Sequence, residues 1–94
     1  MVIADDANDP SQGQEVATEI LKRSDILAVV GHYSSQVTTN VRSLYQQAQT
    51  VLISGTSTST ELTVDDVNTF FFRTCSSNRV AGAIMAKHWA IKHK

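Results

Sequence analysis

Asp5 and Asp6 stand side by side at the end of the short apolar run Val2–Ile3. Adjacent carboxylates where a strand meets a loop can hold Mg²⁺, and in a receiver-type site such a pair holds it beside a phosphorylated aspartate. That chemistry also needs an acceptor aspartate after a central strand, a hydroxyl residue after the next and a lysine after the last. Here the run Ile26–Gly31 is followed by "HYSS" and the run Phe70–Thr74 by "CSS", so neither the acceptor nor the lysine is present. Only Ser54 to Thr58 offer the hydroxyl, and phosphoryl transfer is left without an acceptor. A hydrolase fares no better, because "HYSS" lacks the glycine-flanked serine of a nucleophile elbow and the His32–Ser34 pair has no evident orienting acid. The reading is of a protein that is not an enzyme.

The denser chemical signal is hydroxyl. "SS" at positions 34–35 opens a predicted helix, and "SGTSTSTELT" follows the next predicted strand. A helix N-terminus presents unpaired N–H groups and partial positive charge, so Ser35 is placed to help hold a carboxylate. A threonine-rich loop one strand away offers hydroxyls and carbonyls that accept from an ammonium. Together they suit a zwitterion, an α-amino acid. The plainer alternative is that the serines cap the helix and the Ser/Thr run only makes turns.

Composition narrows the classes. The 94 residues support one domain at most, with 41% apolar and 18% charged residues, as in ordinary globular chains. Eight basic and nine acidic residues leave a net charge of -1, without a basic block of the kind nucleic acid requires. Cys75 is the only cysteine, which excludes an internal disulfide and cysteine-based metal centres. His32, His88 and His93 are too dispersed for a local metal motif, so neither a metal nor another cofactor is expected. No apolar run is long enough to span a bilayer, and the N-terminus lacks the basic and apolar regions of a signal peptide.

The elements that position these groups follow from periodicity. Asp9 is a predicted N-cap, followed by Pro10 at the first helical position and Gln12 three residues after the cap. Val16, Ala17, Ile20 and Leu21 then form a buried helical face, with Glu15, Glu19, Lys22 and Arg23 in water and Gly13 as a weakness in the first turn. "ILAVVG" reads as a strand buried on both faces. Val37, Val41, Leu44, Tyr45 and Ala48 mark a second helix capped by Ser34 or Ser35, "VLIS" is a strand, "GTSTSTELTVDDVN" a polar loop, "FFFRT" a strand, and "SSNRVAGAIMAKHWAIKHK" a serine-capped helix. With Val2–Ile3 as a first visible strand the order is β-α-β-α-β-loop-β-α, which predicts an α/β fold with a parallel sheet flanked by helices. Ligands in such folds bind at the carboxyl ends of strands.

The segments "VVGH" with "SS" one residue on, "LISG" before a run of threonine and serine, "ELT" and "FFRT" occur here in a fixed order. In that order and spacing the chain resembles the amino-terminal lobe of the branched-chain amino-acid binding proteins, the type I periplasmic solute-binding fold. The resemblance covers nearly all of residues 1–94, with "VIADDANDPSQGQEVATEIL" similar to the family's second strand and helix. It implies a flavodoxin-like half of that fold, missing the first strand, and a partial N-terminal lobe as the one domain. It also implies that Asp5 and Asp6 serve structure and solubility. Ser35 matches the serine that holds the ligand α-carboxylate through hydroxyl and backbone N–H. Thr58 matches the threonine that contacts both charged ends, and Thr56 a position whose carbonyl meets the ammonium. Tyr33 lies at the pocket rim, where the family varies. Position 56 is alanine in the family pattern and threonine here, which a backbone contact tolerates.

The resemblance implies a two-lobed parent, periplasmic or extracellular, that closes on an amino acid or related small solute and presents it to a membrane transporter of the ABC type. The same lobe also fits the sensing ectodomain of a receptor or sensor kinase. The opposing lobe is expected to supply an acidic partner for the ammonium, so half a site remains here. Met1 directly ahead of the second strand suggests an excised domain. With the central first strand of the 2-1-3-4-5 order missing, the strands at Val2 and Ile26 either re-pair or expose edges that associate with another copy.

Overall fold

The computed structural model describes residues 1–64 and 70–93. The described residues form three helices and three strands in the order α1 (Pro10–Leu21), β1 (Ala28–Val30), α2 (Ser35–Gln47), β2 (Val51–Ser54), β3 (Phe71–Arg73) and α3 (Asn78–Lys92), with a 3₁₀ turn at Thr60–Thr63 between β2 and β3. Residues 65–69, which include the end of the predicted polar loop, and Lys94 lie outside the described residues. The strands form a parallel sheet in the order β1-β2-β3, as the βαβ pattern predicts.

Register sorts the side chains by face. Val29, Leu52 and Phe71 are paired across the sheet and, with period two, project to one side. There they meet Val37, Val41 and Tyr45 of α2, with Ala17 of α1 and Leu62 of the 3₁₀ turn completing the buried core. The next register row, Val30, Ile53 and Phe72, projects to the opposite side, where Val30 is 84% and Phe72 53% exposed. Helix α3 buries no residue at all, and its Val80, Ile84, Met85, Trp89 and Ile91 are open. It projects from a body whose principal extents, helix included, are 57 × 28 × 22 Å.

The caps obey the sequence. The Asp9 carboxylate accepts from the N–H of Ser11 and Gln12. Ser34, rather than Ser35, caps α2 by accepting from Val37 N–H, and Ser77 caps α3 in the same way through Val80 N–H. Gly13 is more than a weak helical residue: it is buried where α1 crosses α2, and a Cβ there would stand 2.5 Å from Val37 Cγ1.

Three expectations are corrected. Val2–Ile3 form no strand, because residues 1–4 are separated from β1 by a groove of about 630 Å³, also lined by Val16, Ile20 and Arg23. Direct re-pairing of the two segments does not occur. For the same reason "ILAVVG" is not buried on both faces: β1 is an edge strand with Leu27 91% exposed beside it. Ala48, expected on the inner face of α2, is exposed at its C-cap.

Candidate ligand site

The carboxyl ends of β1 and β2 converge on two loops, 31–35 and 55–60. Gly31 closes β1 with φ +149°, a conformation side chains rarely adopt, and its peptide bond to His32 is cis. The chain then turns through Tyr33 and Ser34 into α2. On the neighbouring strand, Ser54 ends β2 and begins the hydroxyl loop.

The loops are stitched by their own hydroxyls. Ser54 Oγ donates to the His32 carbonyl at 3.0 Å and accepts from the N–H of Thr56 and Ser57 at 3.3 and 3.0 Å. Ser57 Oγ donates to the same carbonyl at 2.9 Å and lies 2.7 Å from Thr38 Oγ1. Thr56 Oγ1 donates to the Tyr33 carbonyl at 2.7 Å, and Ser35 Oγ accepts from Ser59 N–H at 3.0 Å. Much of the hydroxyl density is therefore structural, as the turn-and-cap alternative anticipates for Ser34, Ser54 and Ser57.

What stays open is a short set. Among the described residues, the Thr58 hydroxyl and the Thr56 carbonyl accept or donate no hydrogen bond, although the Thr58 carbonyl accepts from Asn78 N–H at 2.8 Å. Ser35, half-buried, is the first residue of α2, so its N–H and that of Gln36 lack acceptors within the helix. Ser35, Thr56 and Thr58 thus come together at the ends of adjacent strands. Tyr33 is 75% exposed and joins them only through its carbonyl.

Two residues outside the predicted set hold this place together. Arg73, at the end of β3, donates from Nη1 to the Ser57 and Ser59 carbonyls at 3.0 and 2.7 Å and from Nη2 to Thr63 Oγ1. A lone arginine at the end of an aromatic run was the only available signal for it. His32 is buried, with Nδ1 2.6 Å from Asp6 Oδ2 and Nε2 3.1 Å from Tyr45 Oη. The sequence showed no orienting acid for His32; the structure supplies Asp6, but the other ring nitrogen meets a buried tyrosine and no serine.

Electrostatics agree with that arrangement. Burial works against the Asp6 charge, yet the bonds from His32 and from Asn8 N–H hold its carboxyl below the usual value. Burial, with a smaller contribution from Asp6, pushes the Tyr45 hydroxyl up to about 12. Asp5 is exposed and only accepts from Ala7 N–H at 2.8 Å. Among the described residues no cluster of metal-binding side chains forms, and no helix is long and apolar enough to cross a membrane. Cys75 is a half-buried free thiol 3.5 Å from the Ser57 carbonyl.

The family profile of periplasmic binding proteins matches residues 1–93. The chain belongs to that family. An amino acid binding protein from Pseudomonas aeruginosa is 31% identical over 84 residues, which cover 89% of this chain and 22% of that protein. An ABC transporter substrate-binding protein from Desulfitobacterium hafniense superposes with a TM-score of 0.91 at 32% identity, covering 98% of this chain and 27% of its own. A second structure from that organism, a substrate-binding protein in complex with Leu, gives a TM-score of 0.92 at 30% identity over the same shares. The chain spans about a quarter of the length of these family members, and within that span it has the α/β architecture of a periplasmic binding protein lobe.

Proposed function

We propose that residues 1–94 are part of the N-terminal lobe of an extracytoplasmic solute-binding protein that takes amino acids for uptake by an ABC-type transporter. The observation that carries the reading is the conjunction of Ser35 at the start of α2 with a free Thr58 hydroxyl and a free Thr56 carbonyl on the adjacent loop. The helix end suits an α-carboxylate, and the hydroxyl and carbonyl suit an α-ammonium. Tyr33 lines the rim. The amino acid binding protein of P. aeruginosa and the Leu-bound structure of D. hafniense support this choice of ligand class. The family is of a binding type, which supports a role without catalysis.

The opposing lobe completes the site. Without it, water competes for each charge-assisted hydrogen bond, so affinity of this chain alone is millimolar at best, no better than about -4 kcal/mol. The open edge of β1 and the exposed Val30 and Phe72 on the far face of the sheet support association with another copy.

A two-dimensional NMR titration of the labelled chain with leucine, isoleucine, valine, glutamate and glycine tests the reading, with light scattering for mass. Shifts confined to the neighbourhood of Ser35, Thr56 and Thr58 are expected with an amino acid bearing an apolar side chain. A well-folded sample whose spectrum ignores all five would remove ligand binding from this chain.

A further inference from the structure

His32 joins the N-terminal segment to α2 and to the hydroxyl loop. Its ring faces Asp6 of the N-terminal segment and Tyr45 of α2, while its carbonyl faces the hydroxyl loop. That one oxygen receives Ser57 Oγ at 2.9 Å, Ser54 Oγ at 3.0 Å and Thr38 Oγ1 at 3.4 Å. A carbonyl has two lone pairs, so the two serines take the full bonds and Thr38 shares, also donating to the Ser34 carbonyl at 2.9 Å. Ser54 in turn holds the N–H groups of Thr56 and Ser57. The loop that presents Thr56 and Thr58 is folded around the His32 peptide oxygen.

The oxygen can only be as fixed as the residue that bears it. On one side stands Gly31, which has no side chain to be gripped; on the other stands Tyr33, whose side chain is in water. The backbone on either side is held by Gly31 N–H to the Ile53 carbonyl and by Thr56 Oγ1 to the Tyr33 carbonyl, and the side-chain grip between them is the His32 ring, held at both nitrogens and buried. We propose that His32 is a positioning residue for the ligand loop and that Asp6 is the group that orients it. The ligand consequence rests on the amino-acid reading above; the loop consequence does not.

The hydrogen bonds assign the proton. An Asp6 carboxylate accepts only, so Nδ1 carries hydrogen and donates to it. In the neutral ring Nε2 then accepts from the Tyr45 hydroxyl, which stays protonated through the neutral range. Among the described residues no buried side-chain nitrogen or oxygen is left without a partner, as this assignment requires. The groups with charge or protons to exchange that face the ring are Asp6 from the N-terminal segment and Tyr45 from α2. Second-partner hydrogen bonds of this kind set ring orientation in the same way that outer carboxylates orient histidines elsewhere.

The test uses the ¹⁵N-labelled 94-residue chain with Asp6→Asn, Tyr45→Phe and, as a control one residue away, Asp5→Asn. Ring ¹⁵N correlations in the unsubstituted chain should show the Nδ1–H tautomer. In Asp6→Asn the oxygen that accepts from Asn8 N–H stays in place, the amide nitrogen meets the ring, and the proton is expected to move to Nε2. Both Asp6→Asn and Tyr45→Phe should shift the amides of Thr56, Ser57 and Thr58, which neither residue touches, while Asp5→Asn leaves them alone. Tyr45→Phe keeps the buried ring, so the loop amides remain readable if Asp6→Asn does not fold. Loop amides unmoved in the folded variants, or an Nε2–H tautomer in the unsubstituted chain, would overturn the proposal. Leucine titration then separates the two readings. If the unsubstituted chain binds leucine, Asp6→Asn should weaken it about tenfold, the loss of one well-placed hydrogen bond. If the loop shifts appear but leucine is ignored, amino-acid binding by this chain fails and the positioning role stands.

Discussion

Asp6 Oδ2 lies 2.6 Å from His32 Nδ1 across 26 positions of sequence, and this bond ties the N-terminal segment to the turn that ends β1. It resolves what the acidic pair does: Asp5 caps its own turn and Asp6 anchors a histidine. The folded-state pKa of Asp6 lies below its ordinary value of 3.8, so the folded protein binds fewer protons there than the unfolded chain does. Its stabilising contribution is complete above the unfolded pKa and is lost as pH falls through the lower, folded one. Urea midpoints measured from pH 6 down to pH 2 should fall in that acid window, and Asp6→Asn should flatten the fall. An equally steep acid limb in Asp6→Asn would reject the assignment.

Burial of Tyr45, the partner of the other ring nitrogen, predicts a basic limb. Tyr45 ionises at about 12 in the fold against an ordinary 10.0, so stability is fully present below the unfolded value and declines as pH rises from 10 through 12. Tyr45→Phe should lose about 1 kcal/mol at neutral pH, the net worth of a neutral hydrogen bond. It should also abolish this particular decline, as read by circular dichroism melts at pH 8, 10 and 11.

Gly13 offers a prediction in which two rules disagree on sign. Helix propensity alone says that Gly13→Ala stabilises α1 by about 1 kcal/mol. The new Cβ, however, would stand 2.5 Å from a methyl of Val37, a stiff, fully buried side chain, and overpacking of that kind costs about 1–3 kcal/mol. The variant should therefore melt at a lower temperature. A rise in melting temperature would mean that α1 can slide away from α2 at little cost.

Much of this fold could be read from residue order. Asp9 with Pro10, the Ser34–Ser35 pair and the Ser76–Ser77 pair marked three helix starts, and the apolar spacing of Val37, Val41 and Tyr45 gave the face that packs on the sheet, because both signals depend on neighbours within one or two turns. The candidate site was legible in part: the sequence assembled Ser35, Thr56 and Thr58 from a family pattern. The groups that hold them could not be read, since Asp6, His32 and Tyr45 meet one another, and Arg73 meets the hydroxyl loop, only through tertiary packing. The edge character of β1 was hidden for a related reason. A run such as Ile26–Val30 looks the same whether or not a neighbouring strand is present, and here a groove occupies that side.

Arg73 should behave as a clasp rather than as a surface charge. Its guanidinium reaches the Ser57 and Ser59 carbonyls and the Thr63 hydroxyl at once, a fork that an ammonium cannot reproduce. Arg73→Lys is expected to cost about 2 kcal/mol in urea unfolding, in the range for hydrogen bonds to charged groups. The amides of Ser57 to Thr63 should move with it. Unchanged stability would show that the loop is held by its serine hydroxyls alone.

Thr58 and Ser35 separate binding from folding. The Thr58 hydroxyl forms no bond among the described residues, so Thr58→Val should leave stability within about 0.5 kcal/mol. Ser35→Ala, in contrast, removes the acceptor for Ser59 N–H and should lose about 1 kcal/mol. In the amino-acid reading each change removes a contact to a charged end of the zwitterion, so both should erase leucine-dependent shifts in the chain. The pair is informative because stability and binding are predicted to part company at position 58 only. A Thr58→Val protein that still answers leucine with unsubstituted affinity would take Thr58 out of the site, and with it the hydroxyl that the reading assigns to the ligand ammonium and carboxylate.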